Sequence, residues 1–154
     1  MREIPSLESS GVDTGGTGAH LRGVPANRNP PRARSVRAIR GATTVEADEP
    51  GLIRAAVIEL LEAVLDDNDV VPADLVSAVF TATPDLVSEF PAHAARLLGW
   101  TDVPLLCAQE LPVTGALPRC IRVLVHVETR KARNEIKHAY LHHAVLLRAD
   151  LLAD

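Results

Sequence analysis

The sequence predicts an α+β fold: a mixed sheet in the order β-α-β-α-β-β, with helices on one face. Three observations lead there. Strand-length runs of apolar and β-branched residues recur between Pro, Gly and Asp stops. One long stretch carries apolar residues at helical spacing. A second, shorter helical stretch lies between two of the strands. The chain holds 154 residues, the size of one domain of roughly 100–200 residues.

The elements follow in order. Val36 to Val45 reads as the first strand, richer in β-branched residues toward its end. Asp48 and Glu49 open a helix with Pro50 in its first turn, where a missing N–H costs nothing. Leu52, Ile53, Ala56, Val57, Leu60, Leu61, Val64 and Leu65 form one apolar stripe that must face a core. The run from Asp66 to Asp69 ends the helix. Val76 to Thr81 is a second strand, stopped by Thr83-Pro84-Asp85. A short helix runs from Pro91 to Leu98, with Gly99 as its C-terminal stop. Val103 to Cys107 is a third strand. A loop with Pro112, Gly115 and Pro118 leads to the most regular strand, Cys120 to Val127. Residues 134–147 mix helical and strand signals and stay open. Two helices can cover only one face of such a sheet. Apolar strands on the other face imply burial against further copies of the chain.

The first 35 residues differ in kind. They hold 5 of the 9 glycines, 4 of the 11 prolines and no aromatic residue. Such a segment buries too little apolar surface to offset its ordering entropy. It reads as a disordered tail, residues 1–35, ahead of a domain at 36–154. Arg28, Arg32 and Arg34 in it fit a solvated tail better than an anion-binding arm. A start further downstream, at a Val36 read from a GUG codon, is a second account of the same segment.

Net charge is −4 with a sequence pI near 5.8. This argues against general nucleic-acid binding, which needs a surplus of cations. No run approaches the roughly 18 apolar residues of a membrane span. Cys107 and Cys120 make neither a disulfide framework nor a CxxC metal pattern. With no apolar leader after Met1, the expectation is a cytoplasmic protein with free thiols.

Few residues suggest chemistry by themselves. Arg40 closes a strand pattern. Arg122 interrupts the most apolar strand, on the face of Cys120, Leu124 and His126. Arg148 follows the apolar run from Ala144 to Leu147. A guanidinium cannot shed its charge and must find partners or water. An exposed edge or a structural ion pair satisfies that as well as a binding site does. Glu110 alone reads as a loop carboxylate, and Cys107 as a small buried residue. His142-His143 point apart on any regular element, so no metal is expected. Tyr140 reads as a buried ring with a bonded hydroxyl.

Their arrangement says more. The chain resembles the AroH-class chorismate mutases, the small trimeric type. The blocks that carry the resemblance are Ile39 to Glu46, Ala82 to Leu86, Phe90-Pro91-Ala92, Gly99-Trp100, Val103-Pro104, Cys107 to Glu110, Val113-Thr114-Gly115, Cys120 to Val123, Tyr140-Leu141 and Ala144 to Arg148. They run from about Val36 to Asp150. The resemblance implies the fold derived above, assembled as a homotrimer with active sites between subunits. It implies the Claisen rearrangement of chorismate to prephenate, on the route to phenylalanine and tyrosine, with no cofactor. By motif, Arg40 and Tyr140 hold a substrate carboxylate, and Arg122 binds a carboxylate and the ether oxygen. Glu110 and Cys107 meet the ring hydroxyl. Phe90, Leu147 and Arg148 help form or close the pocket, partly from a neighbouring subunit. His93 stands where the family often has lysine, and one residue is missing before Gly99-Trp100. The rim cation is then weaker or pH-dependent, and Arg96 is placed to compensate.

This chemistry suits the residues. A unimolecular rearrangement of a dianion needs no nucleophile, proton transfer or metal. It needs a compact conformer and donors aimed at charge growing on the ether oxygen. Two rivals remain at this stage: a non-catalytic module binding an anion or amino acid, and an imine deaminase of related fold.

Overall fold

The computed structural model describes residues 31–151. The tail expected at residues 1–35 thus lies mostly outside the described residues. Two of the three arginines expected in a solvated tail are instead engaged. Arg32 pairs with Glu135 at 2.7 Å. Arg34 pairs with Asp74 and donates to the Glu128 carbonyl at 2.7 Å.

Five strands form one mixed sheet. They are β1 (Ser35–Thr44), β2 (Leu75–Ala82), β3 (Leu105–Gln109), β4 (Cys120–Thr129) and β5 (Ala139–Tyr140). Their order across the sheet is β3-β2-β4-β1-β5. β4 runs antiparallel to both β1 and β2. The edges β3 and β5 pair in parallel with β2 and β1. The third strand begins two residues later than expected. Pro104 has no N–H to donate and joins β2 only through its carbonyl, which accepts the Ala78 N–H at 3.0 Å; registered pairing starts at Leu105. The open region 134–147 resolves into the two-residue β5 followed by a 3-10 segment, His142–Leu151, broken at Arg148. Short apolar runs carry no period long enough to distinguish these states.

Helix α1 (Pro50–Asp66) buries Ile53, Ala56, Val57, Leu60, Leu61 and Val64. Its start differs in detail from the expectation. Glu49 caps it without a side-chain bond. The Asp48 carboxylate instead accepts the N–H groups of Val87 and Ser88, tying this turn to the segment after β2. Helix α2 (Pro91–Leu97) buries Ala92, Ala94 and Ala95, and Gly99 stops it at φ +89°. Both helices pack on one face of the sheet, against Ile39, Phe80, Val123 and Val125. Neither helix covers the other face. There lie Val36, Ala38 and Arg40 of β1, and Arg122, Leu124 and His126 of β4.

Gly41 shows how closely α1 rests on the sheet. A methyl group there would sit 2.9 Å from Val123 Cγ1, 3.1 Å from Leu60 Cδ1 and 3.2 Å from Val64 Cγ2. Gly41→Ala is therefore expected to destabilise the fold by about 1–3 kcal/mol, the usual cost of overpacking. Thermal unfolding followed by circular dichroism checks this, and an unchanged midpoint contradicts it.

Candidate active site

Register places the chemistry. On the helix-free face, Ala108, Thr81, Arg122, Ala42 and Tyr140 lie in one row across the five strands. Arg122 reaches over Thr81 toward Glu110, just past the end of β3. Its Nε lies 2.8 Å from Glu110 Oε1. The N–H does not point along that line, so this is an ion pair by distance without a hydrogen bond. Glu110 already accepts from the Thr81 hydroxyl at 2.6 Å. The glutamate is thus held in place, while a buried donor of Arg122 has no acceptor among the described residues. A buried donor left without a partner is costly.

Beside this pair stands a second cationic group. Arg40 lies on β1, one position along the same face from Ala42. Its backbone N–H donates to His138 Nδ1 at 3.0 Å. The Arg148 guanidinium stands 6.0 Å from the centre of the Tyr140 ring, in cation–π reach. The Tyr140 hydroxyl is buried with no partner among the described residues. This corrects the expectation that it would be bonded. Leu147, just before Arg148, is half-buried.

The remaining expected residues lie elsewhere. Cys107 pairs in register with Phe80 on the helix-covered side of β3. It lines a cleft of about 410 Å³ with Leu86, Val87, Glu89 and Phe90. Phe90, which caps α2, is 71% exposed. Arg96 is exposed on α2. His93 is held by Glu89 Oε2 at 3.2 Å, and Arg54 binds the same carboxylate. Burial raises the Glu89 acid, but bonds from His93, the Phe90 N–H and Arg54 outweigh it and hold it below its ordinary range. Burial pushes the Cys120 thiol up, so that thiol stays protonated.

The expected residues therefore fall into two groups. Arg40, Arg122, Glu110, Tyr140 and Arg148 share the open face, while Phe90, Cys107, His93 and Arg96 stand about the β3 edge. β3 and β5 are separated by four strand spacings, or ~19 Å at ~4.8 Å each. Thr81, Asn68 and His138 were not expected at the site. Thr81 alone had a signal, its alternation with Val79 along β2.

Comparison with known proteins matches the chain to a family. The family model for chorismate mutase type I matches residues 36–151. The chain is 47% identical over 117 residues to chorismate mutase AroH of Bacillus subtilis, covering 75% of this chain and 92% of that one. It is 50% identical over 117 residues to chorismate mutase AroH of Thermus thermophilus, covering 75% and 96%. A solved chorismate mutase from Clostridium thermocellum superposes with a TM-score of 0.71 at 44% identity, covering 71% of this chain and 98% of that one. A match running from the second residue of β1 into the closing 3-10 segment leaves one assignment: the chain belongs to the type I chorismate mutase family.

Proposed function

We propose that this chorismate mutase, an isomerase, converts chorismate to prephenate by selecting a compact conformer and stabilising charge on the breaking ether oxygen. The observation that carries the mechanism is the buried Arg122 Nε without a hydrogen bond, beside a Glu110 held by Thr81. Arg122 donates to a substrate carboxylate and, as the C–O bond lengthens, to the ether oxygen. Its planar fork serves both at once. Glu110 accepts from the ring hydroxyl and fixes the ring. Arg40, Tyr140 and Arg148 hold the other carboxylate. Phe90, with Leu147, packs against the hydrocarbon, and His93 and Arg96 supply cationic character at the rim. None of these groups exchanges a proton or forms a bond with the substrate. Cys107 contacts the hydroxyl region without acting as a thiolate, so Cys107→Ser is expected to keep substantial turnover. Complete loss in a folded variant would contradict this mechanism.

The working form is a homotrimer, cyclic so that each open sheet face meets the β3 edge of a neighbour. Two things support this. Two helices leave one sheet face without a covering layer, and Leu106, Val87, Phe90 and Leu111 are exposed apolar residues near the β3 edge. We place the enzyme in the cytoplasm, in aromatic amino-acid biosynthesis. No helix among the described residues is long and apolar enough to cross a membrane.

Chorismate loss and prephenate formation by the purified protein, followed by ultraviolet absorbance, test the activity. Subunit mixing tests the shared site. Arg122→Ala and Phe90→Asp trimers are each expected to be nearly inactive. After unfolding and refolding together in equal amounts, ~one quarter of the sites regain both intact halves. A mixture no more active than its parents places the whole site within one chain.

A further inference from the structure

We propose that His138 is a positioning residue for Arg40, and that its neutral ring keeps the carboxylate anchor set while its protonation releases it. The inference rests on the reading of Arg40 as a substrate anchor given above.

The argument begins with the short edge strand. β5 pairs with β1 only at Gly41 and Ala42. Arg40 lies one residue before that pairing, and no carbonyl of β5 is registered opposite it. The His138 ring supplies the acceptor in its place, with Nδ1 3.0 Å from the Arg40 N–H. The side chain thereby extends the ladder by one bond, at the residue whose guanidinium must be aimed. Only the tautomer with its proton on Nε2 can accept there.

His138 is itself held from behind. The buried Asn68 accepts the Lys137 N–H at 2.8 Å and donates to the Lys137 carbonyl at 2.8 Å. Its Nδ2 also donates to the Val64 carbonyl, which joins the clamp to the end of α1. The path from helix to anchor is thus Asn68, the Lys137 backbone, the His138 ring and the Arg40 backbone.

The surroundings make the ring sensitive to charge. Arg40 from β1 and Arg148 from the closing segment act on its charge, and Arg37 of β1, His126 of β4 and Arg133 of the 3-10 turn at Arg133–Glu135 line the cavity it borders. Among the described residues, no carboxylate lines the cavity that His138 borders. Much of the ring meets solvent, yet burial, then Arg40, then Arg148 shift its titration below the ordinary value. A lowered pKa means that the neutral form is favoured in the folded protein. Its stabilising contact is complete above about pH 6.5, the unperturbed value, and is lost as the pH falls through the lowered one. Protonated Nδ1 becomes a donor facing a donor, and a new cation joins Arg40 and Arg148. The strand edge then loosens and Arg40 loses its aim. The substrate's carboxylates stay ionised over this range, since carboxyls titrate near ~4.

The test uses the full-length enzyme and three variants, with KM and kcat for chorismate measured from pH 5 to 8. In the unaltered enzyme KM is expected to rise as the pH falls below about 6.5, with kcat changing less. His138→Leu has no acceptor, so KM is expected to be raised about threefold to tenfold at every pH, the range for one lost hydrogen bond. His138→Asn can place an oxygen near the Nδ1 position and does not titrate. It is expected to restore KM at pH 7.5 and to remove the acid rise. Arg40→Ala separates the proposal from the reading beneath it. If that variant keeps a normal KM, Arg40 is not the anchor. If it raises KM while His138→Leu leaves KM unchanged, the positioning role fails. An acid rise that persists in His138→Asn also overturns it, and that comparison stands even if His138→Leu does not fold.

Discussion

Arg122→Ala is expected to lower kcat by at least ~10²-fold, the range for loss of one preorganised donor aimed at developing charge. The readout is the rate of chorismate disappearance at saturating substrate. The size follows from where Arg122 sits. Its Nε is buried without a hydrogen bond in the resting chain, although Glu110 lies 2.8 Å away. That contact fixes the guanidinium, and the exposed part of the side chain leaves its outer N–H groups to form charge-assisted bonds. In a rearrangement without proton transfer, no other group can take over that task. Arg122→Lys is expected to recover little, because a point charge cannot serve a carboxylate and an ether oxygen together. Near-normal turnover in either folded variant would remove Arg122 from the mechanism. A small change in kcat with a large rise in KM would make it a ground-state binder.

The reasons the fold and the candidate residues could be placed from sequence are uneven. The blocks around Arg40, Glu110, Arg122, Tyr140 and Arg148 carried the family resemblance, and the structure gathers all five on one open face. Alternation along β4 placed Arg122 correctly opposite Ile121 and Val123, because a strand with one buried face has a fixed period. The helices were legible for the same reason. What failed were features with no local period. β3 slid by two residues at Pro104, and β5 is too short to leave a pattern. His138 and Asn68 gave no signal, because their roles rest on contacts across 98 and 69 residues of chain. Tyr140 lacks the bond expected of a buried hydroxyl. Sequence rules describe a filled interior, and they do not mark a buried group that has no partner among the described residues.

Asn68 carries the largest stability effect expected outside the apolar core. It is fully buried at the end of α1, and its amide makes three bonds to the backbone, two to Lys137 and one to Val64. Asn68→Ala leaves one N–H and two carbonyls without these partners, and is expected to cost about 3 kcal/mol. At ~3–5 °C per kcal/mol for a domain of this size, the melting midpoint should fall by about 9–15 °C. Loss of core packing would have the same outward sign, so a second variant separates the causes. Asn68→Asp keeps the shape and the acceptor for the Lys137 N–H. Its second oxygen, however, faces the Val64 and Lys137 carbonyls. An ionised carboxylate there is repelled and desolvated, so its pKa in the folded state is raised above the unfolded value. Its stability relative to the unaltered protein is then best in acid, where the carboxyl is protonated and can donate. It worsens as the pH rises through the raised pKa. Denaturant melts at pH 4.5 and 7.5 read that difference directly. If Asn68→Asp tracks the unaltered protein at both, the amide is not holding the Lys137 backbone, and the link from α1 to His138 and Arg40 is broken.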